Sequence, residues 1–205
     1  MRVRITFSKT GALRYIGHLD LNTIWERAAR RAGLPLAYTQ GFHPQPKMNF
    51  ASALPLGFSS RCEVMDMRFN EDMDLISLSA QLQDAMPSGI GILNVENIDE
   101  RAAPLQTQII SAEYEATLTE TSDVSELKRK IDDVIASQSL PRERRGKFYD
   151  LRPLIERLEL NSENKILMRL AAREGATGRP EEVLDVLGIM IEHARVERTN
   201  LIFRN

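Results

Sequence analysis

The stretch that decides the fold is residues 110–135, ISAEYEATLTETSDVSELKRKIDDVI. Its first part alternates between apolar and polar side chains, and the apolar ones are Ile110, Ala112, Tyr114, Ala116 and Leu118. This period of two predicts a β-strand with one buried face. From Asp123 onward the apolar residues recur every three or four positions, which is typical of a helix. Asp123, with Glu126 three residues later, is a capping-box-like helix start. The stretch therefore predicts a strand followed by a helix.

The first half of the chain repeats this order. Gly33 and Pro35 are predicted to end its first helix, as glycine and proline do after a helix C-terminus. The predicted elements are a strand at 3–7, a helix capped by Asp20, strands at 36–39 and 62–69, a helix opened by Asp72 or Asp74, and a strand at 90–95. Met65, Met67 and Phe69 are expected to face the core.

The second half continues in the same way after the helix that Asp123 opens. The prediction is an irregular region at 139–153, a hairpin of 154–160 with 165–172, a helix beginning at Pro180 and a strand at 193–203. Two successive β-α-β-β-α-β units predict an α+β protein of two tandem ferredoxin-like modules. We place these at residues 1–100 and 107–205, joined by a polar linker at 97–107.

Cysteine content and hydropathy limit the class of protein. Cys62 is the single cysteine among 205 residues, so an internal disulfide is excluded and a reducing cytoplasm is favoured. One thiol also cannot hold an iron–sulfur cluster, which usually takes four. The sequence has no apolar run of the length that a membrane span needs, and MRVRITF is not a signal peptide. We therefore predict a cytoplasmic protein with no membrane partner.

The net charge of −2 hides a strong asymmetry. Residues 1–60 hold eight Lys or Arg against two acids, a net +6. Residues 61–140 are −10, with six against sixteen, and residues 141–205 are +2, with thirteen against eleven. Such a chain can offer a local site for an anionic ligand without a high isoelectric point.

Three arginines of the first helix are candidates for binding phosphate. Arg27, Arg30 and Arg31 stand at i, i+3 and i+4 and so share one helix face. Guanidinium groups can bind phosphate bidentately. Arg14 and Lys47, in flanking loops, would add to this positive surface. The alternative is an ordinary solvated helix face, with Glu26 pairing Arg30.

Two histidines lie in turns rich in glycine and proline. His18 follows Gly17 at the predicted strand-to-helix junction, and His43 lies in the Gly41-Phe42-His43-Pro44 turn. Phe42 could stack on a base. The two histidines could act as general acid and base, helped by Tyr38 and Lys47, although single histidines more often hold structure. No third ligand stands at a spacing typical of a metal site, so no metal is predicted.

A second basic segment is PRERRGKFYDLRP, residues 141–153. Its basic residues flank two aromatic residues, Phe148 and Tyr149, and they are Arg142, Arg144, Arg145, Lys147 and Arg152. Cations interleaved with aromatic rings suit single-stranded nucleic acid, where phosphates and base faces are both available. The alternative is an exposed loop that pairs with the acidic middle of the same chain.

An ordered series of motifs resembles the radical SAM-linked protein family. The motifs are FSK (7–9), LRYIGHLD (13–20), RAARRAGLP (27–35), GFHPQPK (41–47), ALPLG (53–57) and DLRP (150–153). The resemblance covers most of the chain. It implies a bacterial domain of unknown function, encoded beside or fused to a radical SAM protein that often has a cobalamin-binding-like region. It supplies no known catalytic residue.

The resemblance implies an accessory role. The iron–sulfur cluster and S-adenosylmethionine would belong to a radical SAM partner, and this chain would bind no cofactor. Our first hypothesis is an RNA-binding accessory protein without catalysis of its own. Its phosphate-binding residues would be Arg14, Arg27, Arg30, Arg31 and Lys47, and a base would be read by His18, Phe42 and His43. One alternative is a protein–protein adaptor for the radical SAM enzyme, with an interface formed by the loops of residues 41–57 and the acidic middle of the chain. The other is a metal-independent ribonuclease using His18 and His43.

Overall fold

The computed structural model describes residues 1–120, 123–173 and 175–204. The protein is α+β, and its chain forms two compact units, Met1–Gln108 and Ile109–Asn205. Among the residues described, no helix combines the length and the apolar character needed to cross a membrane.

The first unit, unit 1, is a four-stranded antiparallel sheet with helices. Its elements are β1 (Arg2–Lys9), α1 (His18–Arg31), β2 (Met48–Phe50), β3 (Ser59–Arg68), α2 (Leu75–Ala85), β4 (Ile90–Ile98) and the short α3 (Leu105–Gln108). β4 pairs with β1, β1 with β3, and β3 with β2, so the strand order is β4-β1-β3-β2. The two longer helices each follow a strand of the central pair.

One face of this sheet packs against α1 and α2 as the core of unit 1. Val3, Ile5 and Phe7 of β1 are fully buried, as their alternation predicts. The expected burial of Met65, Met67 and Phe69 is also confirmed. The helices contribute a further set of buried side chains to this cluster: Leu21, Trp25, Ala29, Leu78 and Leu82. The other face of the sheet carries the alternate, polar residues of the same strands.

One boundary in unit 1 differs from prediction and another agrees with it. The helix α1 begins at His18, with Gly17 as its extended N-cap, so Asp20 lies in the first turn instead of capping it. Asp74, one of the two residues expected to open α2, is its N-cap and accepts a hydrogen bond from the Ser77 N–H at 2.8 Å.

The strand predicted at 36–39 is wrong, since this segment makes only isolated bridges. Leu36 bridges to Phe69 and Tyr38 bridges to Pro46. Pro46 has no N–H, so it cannot continue a ladder with Tyr38. The regular strand beside β3 is β2, which comes after Pro46.

The second unit, unit 2, has a similar sheet with an added hairpin. Its elements are β5 (Ile109–Leu118), α4 (Val124–Ala136), β6 (Pro141–Arg144), β7 (Lys147–Asp150), β8 (Ile155–Leu160), β9 (Ile166–Arg173), β10 (Ala176–Thr177), α5 (Pro180–Val186) and β11 (Ala194–Phe203). All pairings are antiparallel, and the strand order is β11-β5-β9-β8. Asp123 caps α4 and Pro180 is the first residue of α5, as predicted.

The region predicted to be irregular contains the β6–β7 hairpin, so that prediction is wrong. Arg145 and Gly146 form its two-residue turn, with φ of 53° and 74°. Both angles are positive, as in the type I′ turns that suit the twist of a hairpin. Such turns favour Asn-Gly or Asp-Gly, and Arg-Gly does not carry that signal.

Candidate nucleic-acid interface

The three arginines of α1 have different environments. Arg31 donates from Nη2 to the carbonyl oxygen of Ala85 at 2.6 Å, at the C-terminus of α2. Arg30 lies 3.5 Å from the Glu26 carboxylate. Arg27 is exposed, and within the described part of the chain it makes no side-chain hydrogen bond or ion pair. Arg31 therefore ties α1 to α2, whereas Arg27 and Arg30 present their charge to solvent.

Arg14 lies in a single 3₁₀ turn, Gly11–Tyr15, before α1. Its guanidinium sits over the Tyr15 ring, 4.7 Å from the centroid, and donates to the Tyr15 hydroxyl at 2.7 Å. The Arg14 carbonyl accepts a hydrogen bond from the Gly57 N–H at 2.8 Å. This bond joins two of the motifs quoted above, LRYIGHLD and ALPLG.

His18 contacts the core of unit 1 through an aromatic chain. Its ring lies 5.2 Å from that of Phe50, edge to face. Phe50 in turn lies 6.1 Å from Phe7, and Phe7 lies 4.9 Å from Trp25. No hydrogen bond or ring contact joins His18 to His43 in the regions that the structure describes. The geometry thus gives His18 a packing role and gives no support to a paired acid and base.

Tyr38 is also part of the scaffold. Its hydroxyl donates to the Glu26 carboxylate at 3.4 Å. Burial, with the neighbouring Glu26 carboxylate, raises the pKa of Tyr38 above its usual value. The phenol therefore keeps its proton at neutral pH.

Phe42 and His43 lie at the tip of a closed loop. The Thr39 N–H donates to the Gln45 carbonyl at 2.8 Å, and the Gln45 N–H donates to the Thr39 hydroxyl at 2.9 Å. Below them the Lys47 N–H donates to the Ala37 carbonyl at 2.8 Å. Residues 40–44, here called the first tip, are all exposed, and the Phe42 side chain is fully exposed at 102%.

The arginines of the β6–β7 hairpin mostly hold it in place. Arg144 donates from Nε to Glu182 at 2.9 Å and also to the Thr177 carbonyl at 3.3 Å. Arg142 donates to Asp185 at 2.6 Å. Both carboxylates lie on α5, so these two arginines fix the hairpin against that helix.

The base of the hairpin is held by the DLRP motif. Asp150 accepts hydrogen bonds from the backbone N–H groups of Leu140 at 2.7 Å and Arg152 at 2.9 Å. These N–H donors lower the pKa of Asp150 below its usual value. Arg152 itself donates to the carbonyl oxygens of Ile135 at 2.8 Å and Ile155 at 3.1 Å. Its charge therefore serves the structure of unit 2.

The end of the hairpin, residues 145–148, is free of such contacts and is here called the second tip. Phe148 is 83% exposed. Arg145 and Lys147 are exposed, and among the residues described they form no ion pair and donate no side-chain hydrogen bond. The predicted basic segment is thus divided into an anchoring part and an exposed part with two cations and one ring.

Sequence reasoning missed a buried charged cluster on the second face of the sheet of unit 1. Asp66 is 3% exposed and accepts from Arg2 at 2.7 Å and from Arg4 Nε at 2.8 Å. Arg2 also donates to the carbonyl oxygen of Ala102 at 2.8 Å. Arg68 forms an ion pair with Glu100. The part of the predicted linker from Asp99 to Ala103 therefore lies across this face of the sheet. The first two linker residues, Asn97 and Ile98, belong to β4.

A group of exposed apolar side chains was also missed. Tyr15, Leu19 and Leu56 are 63%, 79% and 64% exposed. They come from the motifs that the Arg14–Gly57 hydrogen bond joins, so their presence in those motifs was the available signal. Within the described ranges, no group of three or more His, Cys, Asp or Glu side chains is arranged to hold a metal ion.

Comparison with known proteins identifies a family but no characterised relative. No curated protein matches the sequence. Residues 2–180 match the sequence profile of a family described as uncharacterized proteins conserved in bacteria, DUF2344. The match includes both tips and most of both units. The chain therefore belongs to this uncharacterized bacterial family, DUF2344.

Proposed function

We propose that this protein is a cytoplasmic accessory protein that binds single-stranded RNA and acts with a radical SAM enzyme, without catalysis of its own. The observation that carries the RNA-binding part is the exposure of Phe148 beside Arg145 and Lys147 at the end of an anchored hairpin. A ring that faces solvent between cations can stack on a base while the cations contact the backbone phosphates.

The first tip supports the same proposal. Phe42 is fully exposed beside His43, and Lys47 stands at the base of the loop. Large side chains that contribute nothing to a core, held on closed loops, are typical of binding surfaces. Because the loops are already closed by hydrogen bonds, little ordering entropy would oppose binding.

The proposed architecture is two ferredoxin-like modules. In each unit the connectivity and the strand order, β4-β1-β3-β2 and β11-β5-β9-β8, support this assignment. The radical SAM partner is supported by the motif series and would carry the iron–sulfur cluster and S-adenosylmethionine. The single cysteine of this chain supports that division.

Removing either exposed ring should weaken RNA binding. We expect Phe148→Ala and Phe42→Ala each to lower affinity for a single-stranded RNA 12-mer by about 5- to 100-fold, since stacking on one base contributes about 1–3 kcal/mol. The measurement is fluorescence anisotropy at fixed salt. Neither change should affect thermal stability, because both rings are exposed to solvent.

Ile76→Ala is the matched control for these variants. Ile76 is also a large apolar residue, 82% exposed, but it lies on α2 away from either tip in sequence. It should bind RNA as the unchanged protein does. Affinities of the two phenylalanine variants equal to that of Ile76→Ala would contradict the assignment of the tips. Binding should also weaken steeply with salt, because each phosphate contact releases counterions.

A protein–protein adaptor is the second candidate, and the exposure of the large apolar side chains of Tyr15, Leu19 and Leu56 favours it. Large apolar side chains that face solvent are candidates for an interaction surface. We expect a double change, Leu19→Asp with Leu56→Asp, to abolish co-purification of a co-expressed radical SAM protein after nuclease treatment. Leu93→Asp, at a 57% exposed leucine of β4, is the control and should leave it intact. If the double variant still co-purified with the radical SAM protein, this alternative would be contradicted.

A further inference from the structure

The second face of the sheet of unit 1 contains a cavity that the proposed stacking on the two tips does not use, and Lys47, at the base of the first tip, lies at its edge. It has a volume of about 160 Å³ and opens between β2, β3 and the segment that crosses the sheet. Its lining consists of Arg2, Lys47, Asn49, Asp66, Arg68, Ala102, Pro104 and Leu105. Polar groups thus form its floor, and the crossing segment forms one wall.

The charges around this cavity do not cancel. The carboxylate of Asp66 accepts three hydrogen bonds from the guanidiniums of Arg2 and Arg4 and is fully occupied by them. Arg68 is neutralised by Glu100. Lys47 adds a positive charge that neither of these acids balances.

Lys47 and Asn49 hold hydrogen-bond donors that no protein group uses. In the part of the chain that the structure describes, neither the Lys47 ammonium nor the Asn49 amide makes a hydrogen bond, and Lys47 forms no ion pair. The backbone of Lys47 is nevertheless fixed. Its N–H donates to Ala37 at 2.8 Å, and its carbonyl accepts from the Arg68 N–H at 3.1 Å. The lysine is therefore positioned beside Arg68 at the edge of the cavity.

Asp66 cannot serve as the partner of Lys47. Its two oxygens already accept from two buried guanidiniums, and it lies beyond ion-pair distance of the lysine, since its ion pairs are with Arg2 and Arg4. The apolar side chains of Pro104 and Leu105 also limit access of water on one side. Lys47 and Asn49 are themselves exposed beside the cavity, so an anion can reach both side chains from solvent.

We propose that this cavity binds a phosphate group, with Lys47 and Asn49 as its hydrogen-bond donors. The phosphate oxygens can accept hydrogen bonds from the unused N–H groups of both side chains, and the Lys47 ammonium supplies a positive charge. The phosphate could belong to a small phosphate ester or to an RNA chain, which share anionic phosphate oxygens that accept hydrogen bonds.

The direct test is a titration of ¹⁵N-labelled protein with inorganic phosphate at constant ionic strength. We expect saturable amide shift changes at 47–49, 66–68, 102, 103 and 105. Lys47→Ala should weaken phosphate binding by about tenfold or more, as loss of a charge-assisted hydrogen bond does. Asn49→Ala should weaken it by less. Both side chains are exposed, so both variants should fold.

Lys128→Ala provides the control for the loss of one positive charge. Lys128 is exposed on α4 and has no ion pair among the described residues. It should bind phosphate as the unchanged protein does. Unsaturable shifts, or equal affinity in the Lys47→Ala and Lys128→Ala variants, would overturn the proposal.

The same titration distinguishes the source of the phosphate. Glycerol 3-phosphate supplies a free monoester, and 5′-hydroxyl hexaadenylate supplies only backbone diesters. Saturable shifts at 47–49 with glycerol 3-phosphate alone assign the site to a small phosphate ester. Saturable shifts with hexaadenylate assign it to an RNA chain. Either result supports a phosphate site, and failure of both overturns it. Because Phe42 and Phe148 are unchanged here, failure of this site remains distinct from failure of the proposed stacking on the tips.

Discussion

Asp66→Ala is expected to lower the free energy of unfolding of unit 1 by about 3–5 kcal/mol, the usual cost of breaking a buried ion pair from one side. The side chains of Arg2 and Arg4 are only 6% and 13% exposed and both donate to this carboxylate. Without it, two largely buried guanidiniums lose the carboxylate that both of them bind. The segment held by Arg2 should loosen as well, since Arg2 also fixes Ala102.

Urea unfolding followed by tryptophan fluorescence measures this loss. Trp25 is the only tryptophan, and it lies in unit 1, so the signal reports the unit that contains Asp66. Asp84→Ala, at an exposed acid on α2 with no ion pair within the described chain, is the control and should change stability by less than about 0.5 kcal/mol. A loss of less than about 1 kcal/mol for Asp66→Ala would show that the cluster contributes little net stability.

Trp25→Ala is the second large effect, with an expected loss of about 3–5 kcal/mol, because removing a buried aromatic side chain leaves a cavity that the core fills only in part. Trp25 is completely buried and contacts the Phe7 ring edge to face. Through Phe7 and Phe50 it also supports His18, so the change should loosen the start of α1. Far-UV circular dichroism in urea measures the loss, since the fluorophore is gone.

Trp25→Phe separates packing from hydrogen bonding at the same position. The indole N–H of Trp25 is buried and has no hydrogen-bond partner in the described ranges. Phenylalanine removes that unsatisfied donor and keeps most of the ring, so its cost should be well below that of alanine. Equal losses for the two variants would contradict this account. Ile76→Ala, at an exposed position of α2, again serves as the control.

Local patterns predicted much of the secondary structure. The alternation at residues 3–7 and the sequence after Asp123 depend on neighbours within a few positions, and both were identified correctly. The strand predicted at 36–39 was wrong because Pro35 and Pro46 have no backbone N–H group. Without those donors this segment cannot form a continuous ladder, and another segment joins the sheet. The hairpin at 141–150 was not predicted because its turn contains Arg145, which is not part of the usual sequence signal for such a turn.

The candidate site was harder to predict, because it depends more on contacts between residues far apart in the sequence than on local sequence patterns. Phe42 and Phe148 could be selected because each stands beside glycine, proline or cations in a segment without periodicity. The partners of Arg31 and Arg144 lie 54 and 38 residues away, so composition could not separate anchored from solvent-facing cations. In the alternating pattern of its strand, Asp66 stands at a position expected to be exposed. It is buried because the segment after β4 returns across the sheet.

The way in which the β6–β7 hairpin enters and leaves unit 2 has an evolutionary consequence. The Leu151 N–H donates to the Leu140 carbonyl at 3.0 Å, so the ten residues between them start and finish at adjacent points. A segment inserted in this manner can be lengthened, shortened or exchanged while β5, β8, β9 and β11 keep their register. If the second tip binds RNA as proposed, ligand preference can change through replacement of this one hairpin. The same property makes residues 141–150 a natural position for grafting a recognition loop.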